Sequence, residues 1–290
     1  MRPGSLARLV LEGRSLRSLR GRYHGVSPQA VGYRVRRTLQ QFVSRPRPVA
    51  CPPGDLVLVA DGLWFRFRRQ PWVLYLMAVK PVQHSRALFL DPVLLPGREE
   101  ARRWTQAFAT IPAAIQPRIR ALVSDDLRGI LGLALTRGWI AQLCHFHLIS
   151  QLQGSRGRRK RRLPNRRQRE AIYQLTRRAL ELPDGPALRT TLTRLRRLVR
   201  QPLAARRVRM VAREFLRRSE HFRAYRRHPE LDLPTTTGTV EAMGHIVRQL
   251  MRRLRNVRTP QALSLWATAL IRLHPEVTCN GKTFQPIPFV

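Results

Sequence analysis

Acidic residues are scarce: 17 Asp and Glu stand against 55 Lys and Arg, which leaves a formal net charge of +38 over 290 residues. A folded surface does not carry that much self-repulsion without an anionic partner. Nucleic acid is the first candidate and an anionic membrane the second. Cysteine is scarce as well. Cys51, Cys144 and Cys279 are odd in number and far apart, which argues against a disulfide framework and fits a reducing, intracellular compartment. No long hydrophobic run exists: the longest, Trp72 to Val79, is far short of a membrane span. The N-terminal stretch has no continuous apolar segment of the kind a secretory signal needs. With 43% hydrophobic residues the chain can bury a real core, so wholesale disorder is excluded. The expectation is a soluble, intracellular protein, cytoplasmic or nucleoid-associated, working on nucleic acid.

Taken in order, residues 14–44 predict two short helices. Leu16, Leu19 and Tyr23 form one apolar face. Gly25-Val26-Ser27-Pro28 supplies a turn, an N-cap and a proline at the first helical position. Val31, Val35, Leu39 and Phe42 then form a second face. Helix, Gly turn and Arg-bearing helix make a helix-turn-helix pattern, with Arg34, Arg36 and Arg37 on or beside the exposed side of the second helix. The plainer alternative is an α-hairpin with a solvated basic face. Residues 45–54 hold four prolines and predict a stiff linker.

Strand signals follow. Residues 56–67 and 72–80 are joined by the turn Arg68-Arg69-Gln70-Pro71 into an antiparallel hairpin, and Ala87 to Leu95 predicts a third strand. A helix is expected over 98–110, a strand ending at Asp125, a helix near 129–135, and a fifth strand over Trp139 to Phe146. This order predicts a mixed α/β sheet with helices packed on it. From Gly154 to about Arg227 the chain becomes strongly basic with apolar positions at helical spacing, an all-helical segment. Its opening, Arg158, Arg159, Lys160, Arg161 and Arg162, is the densest run of positive charge and suits phosphate binding; a plain solvated face is the alternative. Amphipathic helices from Thr239 and from Pro260 close the chain. The expected domains are 1–50, 51–153, 154–233 and 234–290.

Three acids stand out. Leu56 to Ala60 is a short apolar run ending on Asp61, and Ala121 to Asp125 repeats the arrangement. Glu241 heads an amphipathic helix, where a carboxylate is also favoured simply by the helix dipole. A lone Asp at a strand end commonly caps a turn, but three carboxylates in so basic a chain are natural ligands for Mg²⁺. Asp126 competes with Asp125 for the second position. Cys144 and His147 have the spacing of half a zinc site; no second pair follows at usable spacing, and Cys279 with His274 would complete one only if the fold brought the C-terminus close. His145 reads as an ordinary, partly buried imidazole.

Strung together, Asp61-Gly62, Ser124-Asp125 with Gly129, Cys144-His145-Phe146-His147, and the Thr235-Thr236-Thr237 approach to Glu241 resemble the catalytic core of DDE-type transposases of the Mutator-like class. That class shares the ribonuclease H-like fold of the retroviral integrases. The resemblance covers about residues 56–275, with the basic helical block as an insertion and the N-terminal helices similar to the end-binding domains of such enzymes. It implies that Asp61, Asp125 and Glu241 are catalytic and hold Mg²⁺ or Mn²⁺, and that Cys144 and His147 have a structural or DNA-positioning role. It also implies cleavage of duplex DNA at element ends, strand transfer into target DNA and a homo-oligomer on DNA. The family tends to carry Asn shortly before the Glu, where this chain has Thr237-Gly238, and Arg-Gly later, where it has Asn256-Val257-Arg258. A catalytically inactive, transposase-derived DNA-binding protein is the alternative within the resemblance. An RNA-binding structural protein fits the charge alone.

Overall fold

The computed structural model describes residues 25–47, 49, 51–125, 129–156, 165–202, 206–254 and 257–278. The described chain is mixed α/β and divides into two compact units, one running to Ile119 and resuming at Gly238, the other Arg120–Thr237. The first expected helix of residues 14–23, the basic run 158–162, Asp126 and Cys279 lie outside the described residues.

The first unit begins with α1 (Pro28–Ser44). Its Ser27 N-cap accepts from the Ala30 N–H at 3.2 Å, with Pro28 at the first helical turn, as the sequence predicted. Strands β1 (Leu56–Phe67) and β2 (Gln70–Pro81) form a long antiparallel hairpin, in register from Leu56 opposite Pro81 to Phe67 opposite Gln70. Leu56 to Ala60 and Val73 to Val79 are almost wholly buried. Both faces of these strands are therefore covered, which is why the sequence shows continuous apolar runs rather than alternation.

The third strand predicted over Ala87 to Leu95 is instead two short strands, β3 (Arg86–Phe89) and β4 (Val93–Pro96), both antiparallel to β2. The break has a cause. Pro92 has no N–H for a ladder, and the preceding Asp91 is drawn into a bidentate pair with Arg272, Nε to Oδ1 at 3.0 Å and Nη2 to Oδ2 at 2.5 Å. Asp91 is thus an anchor rather than a simple turn residue. Helix α2 (Ala101–Phe108) buries Trp104, Ala107 and Phe108.

The second unit takes up the chain with β5 (Ile119–Ser124), α3 (Ile130–Thr136) and β6 (Ile140–Leu143). Strands β5 and β6 run parallel, as a helical crossover requires. The strand expected over Trp139 to Phe146 stops at Leu143, because the chain turns into α4 (His145–Arg156). The Cys144 N–H bonds back to the Ser124 carbonyl at 2.8 Å, and the His145 N–H is taken by the Thr235 carbonyl at 2.8 Å.

The basic block is helical as predicted: α5 (Arg166–Glu181), α6 (Pro186–Arg200) and α7 (Arg206–Arg217), with the short α8 (Ser219–Phe222) and α9 (Ala224–Arg227). Leu148, Leu152, Ile172, Leu180, Leu195, Val199, Val208 and Phe215 share one buried cluster, and Arg194, Arg196, Arg197 and Arg200 face solvent. Two arginines are buried instead, Arg169 and Arg223. Arg223 is 3% exposed and donates to the Leu182 carbonyl at 2.6 Å and Asp184 Oδ1 at 2.8 Å. It also donates to the Ala179 carbonyl, so a cation caps the last turn of α5, where orphan carbonyls and the dipole favour it.

Back in the first unit, α10 (Gly238–Leu254) packs on β1 and β2, and α11 (Pro260–Leu273) packs on α1 and β4. A short β7 (Glu276–Thr278), not foreseen from the sequence, pairs with β3. No helix among the described residues is long and apolar enough to cross a membrane.

Candidate functional site

Within the first unit the geometry of β1 decides what Asp61 can meet. Alternation along a strand, together with the cross-strand register, puts Asp61, Leu63 and the opposed Leu76 on one face. Helix α10 lies on that face at close range. A Cβ on Gly244 would sit 3.4 Å from Leu63 Cδ1 and 3.6 Å from Leu76 Cδ1, ordinary contact distances, so this part of the helix lies against those two leucines. Glu241 is one turn earlier, in the first turn of α10, where the dipole favours a carboxylate. The first and third predicted acids thus belong to one face of one strand and the helix covering it. Both are half-buried, and Asp61 Oδ1 accepts from the Gly62 N–H at 2.9 Å.

The opposite face of the same strand carries a feature the sequence reading missed. Gly62 lies opposite Tyr75, and Trp64 is two residues along, so these three share the reverse side. The Glu99 carboxylate lies directly over Gly62, with Cδ 2.5 Å and Oε2 2.7 Å from where a Cβ would be. Two indoles hold it there: Trp64 Nε1 donates to Oε2 and Trp104 Nε1 donates to Oε1, each at 3.1 Å. The buried Tyr75 ring stands edge-on to Trp104 at 4.6 Å. Burial, and then the Glu99 charge, push the Tyr75 hydroxyl's pKa up, so it stays protonated. The only sequence signal was Gly62 itself. A glycine inside a strand marks close approach of something, without saying what.

In the second unit Asp125 follows β5 directly, half-buried, and the preceding Ser124 hydroxyl donates to its carbonyl at 3.1 Å. Cys144 is 1% exposed, and its sulfur accepts from the Thr237 N–H at 3.4 Å and the Thr237 hydroxyl at 3.3 Å. The thiol therefore fastens the end of β6 to the threonine segment that leads into α10. His147 is on the first turn of α4, half-buried, with the exposed Phe146 ring edge-on to it at 5.9 Å.

His145 has a structural place, as the sequence suggested. Its Nε2 donates to the Phe222 carbonyl at 2.6 Å, beside Gln142, whose amide donates to the same carbonyl at 3.1 Å and accepts from the Tyr225 N–H at 2.9 Å. Burial lowers its pKa, against the opposing pull of the Phe222 bond, and Arg223 lowers it further.

Among the described residues, side chains with ligand atoms that could hold a metal ion are Asp61 and Glu241 in the first unit and Asp125, Cys144 and His147 in the second. Carboxylate oxygens are hard donors of the kind that oxygen-seeking divalent cations take.

Of the predicted DNA-contacting arginines, Arg34, Arg36 and Arg37 are exposed on α1. Arg36 lines a cleft of about 630 Å³ between α1 and α11 together with Gln40, Thr259, Gln261 and Ser264. The buried residues Val31, Val35 and Leu39 lie on the helix that packs against α11. Arg272 ties the two helices together by donating to the Arg45 carbonyl at 2.7 Å. In comparison with known proteins, no family model matches the chain and no curated protein sequence matches it.

Proposed function

We propose that the chain is a DDE-type DNA transposase with a ribonuclease H-like catalytic core, Asp61, Asp125 and Glu241 being its metal-binding acids. The observation that carries this reading is the pairing of Asp61 with α10. The acid sits at the end of a buried strand, and the helix bearing Glu241 lies on the face that Asp61 shares. A carboxylate on a strand face and another on the helix that covers it, in a chain of net charge +38, suit a site where a cation and an anionic substrate meet.

Asp61, Asp125 and Glu241 would hold one or two Mg²⁺ or Mn²⁺ ions. Bound there, the ions supply activation of a water or a DNA 3′-hydroxyl and stabilise the departing oxygen of the phosphodiester. The protein's own contribution is positional. β1 fixes Asp61, and the packing of α10 against Leu63 and Leu76 fixes Glu241. Displacement at phosphorus needs no covalent enzyme intermediate, so no nucleophilic side chain is required. The exposed arginines of α1 and of α5 to α7 would hold duplex DNA, and the joining of two ends calls for a homo-oligomer on DNA.

The test is nicking and strand transfer on duplex DNA that carries the sequences flanking the gene. It runs with Mg²⁺, with Mn²⁺ and with EDTA, beside Asp61→Ala. Metal-dependent cleavage that disappears in Asp61→Ala, with DNA binding retained, is the expected result. Binding without cleavage under any metal would replace this reading with that of an inactive, transposase-derived DNA-binding protein. Cleavage that survives Asp61→Ala would move the active site elsewhere.

A further inference from the structure

The turn joining β1 and β2 is made at an energetic disadvantage. Phe67 pairs with Gln70, so the loop is two residues, Arg68 and Arg69, and both have positive φ, 47° and 67°. Positive φ at both central positions is the signature of a type I′ turn, whose favoured sequence is Asn-Gly because a Cβ is strained there. Two arginines in those places cost stability that Asn-Gly would return, and an exposed turn offers no packing to offset it. Backbone strain kept at an exposed position points to use of the side chains.

The surroundings say what that use is. Arg66, opposite Pro71, is exposed like Arg68 and Arg69, and none of the three makes an ion pair or a side-chain hydrogen bond among the described residues. Nearby carboxylates are committed: Glu99 to the two indoles, Glu100 toward Arg103 at 3.9 Å. Aromatic rings stiffen the ribbon below the tip. Phe67 and Trp72 meet edge-on at 6.4 Å on one face, and Trp64, 44% exposed, is on the other. The result is a rigid two-stranded ribbon, positive at its tip, with uncommitted guanidinium groups.

We infer that this hairpin tip is a duplex-DNA contact, with Arg66, Arg68 and Arg69 on backbone phosphates. A two-stranded ribbon is one of the two elements that the major groove admits, and Arg forks suit phosphate oxygens. The inference rests on the transposase reading and deepens it by giving the contact a place. Six residues of extended strand separate Asp61 from Phe67, roughly 20 Å, so the contacted phosphates lie about six base pairs from the cleaved bond.

The experiment replaces the tip with the turn's preferred sequence, Arg68→Asn with Arg69→Gly, in the full-length chain. Thermal stability should be equal or higher. Affinity for duplex DNA should fall roughly 10- to 100-fold at 0.1 M salt, and the slope of log K against log salt should become shallower by about 1.8 for two lost phosphate contacts. Arg66→Gln, which leaves the turn untouched, should reduce the slope by about 0.9. A wild-type chain that binds duplex DNA, with an Asn-Gly variant that binds it equally and with the same slope, overturns the hairpin contact alone. A wild-type chain that does not bind duplex DNA overturns the transposase reading and this contact together. Loss confined to structured RNA would assign the tip to RNA and overturn the DNA contact.

Discussion

The Glu99 carboxylate fills the space that a side chain on Gly62 would occupy, pinned by the Trp64 and Trp104 indoles on the strand face opposite Asp61. A carboxylate at the end of a free side chain would swing aside for an added methyl. This one cannot do so without leaving the fully buried Trp104 N–H unpaired. Gly62→Ala should therefore destabilise the protein by about 1–3 kcal/mol, read as a shift in the urea midpoint. Glu99→Ala frees the space. The double variant should then cost less than the sum of the singles, the signature of two residues contesting one site. Additive costs would show that Glu99 does not constrain Gly62.

Thr237 and Cys144 form a second constraint, on the segment entering α10. Both are buried, and the threonine gives two donors to one sulfur. Thr237→Val keeps the volume and removes one donor. It should cost about 1 kcal/mol and raise the reactivity of Cys144 toward a thiol reagent in the folded state. Reactivity unchanged from wild type would mean that the hydroxyl does not shield the sulfur.

The N-terminal helix depends on one cation. Arg272, its side chain 12% exposed, holds Asp91 bidentately and donates to the Arg45 carbonyl. Arg47 adds a longer contact to the same carboxylate at 3.8 Å. Arg272→Ala should lower stability by about 1–3 kcal/mol and expose the proline-rich segment after α1 to limited proteolysis. Asp91→Asn keeps the shape and should give the same cleavage pattern more weakly. Protease resistance equal to wild type in Arg272→Ala would show that α1 is held by its apolar contacts with α11 alone.

Much of this was legible in the sequence because local rules agree with one another there. Ser27-Pro28 announced α1, the apolar runs ending at Asp61 and Asp125 announced β1 and β5, and the amphipathic stretch from Thr239 announced α10. What escaped depended on residues far apart in the chain. The break between β3 and β4 follows from Asp91 meeting Arg272. The early end of β6 follows from Cys144 and His145 bonding to Ser124 and Thr235. Glu99 over Gly62 joins residues 37 apart, and no spacing rule brings a carboxylate to the back of a strand. The positive-φ turn at Arg68 and Arg69 went unread for a different reason. The pair carries none of the Asn or Gly that normally signals such a turn, so the hairpin was visible and its strain was not.

Acid should weaken the protein through His145. Its imidazole donates to the Phe222 carbonyl, a bond that favours the charged ring, but burial outweighs it and sets the folded pKa below the ordinary value of 6.5. Sign follows from proton counting. Below about pH 6.5 the unfolded chain binds a proton at this position that the folded chain refuses, so unfolding takes up protons and stability falls as pH falls. The contribution is complete above pH 6.5 and declines from there toward the depressed folded pKa. His221 and His274 are shifted in the same direction by burial and add to the trend. Urea midpoints should thus drop between pH 7.5 and pH 5. In His145→Gln, whose amide can still donate to the Phe222 carbonyl but does not titrate, the drop should be visibly shallower. An identical pH profile in that variant would remove His145 as a cause and leave the decline to the other two.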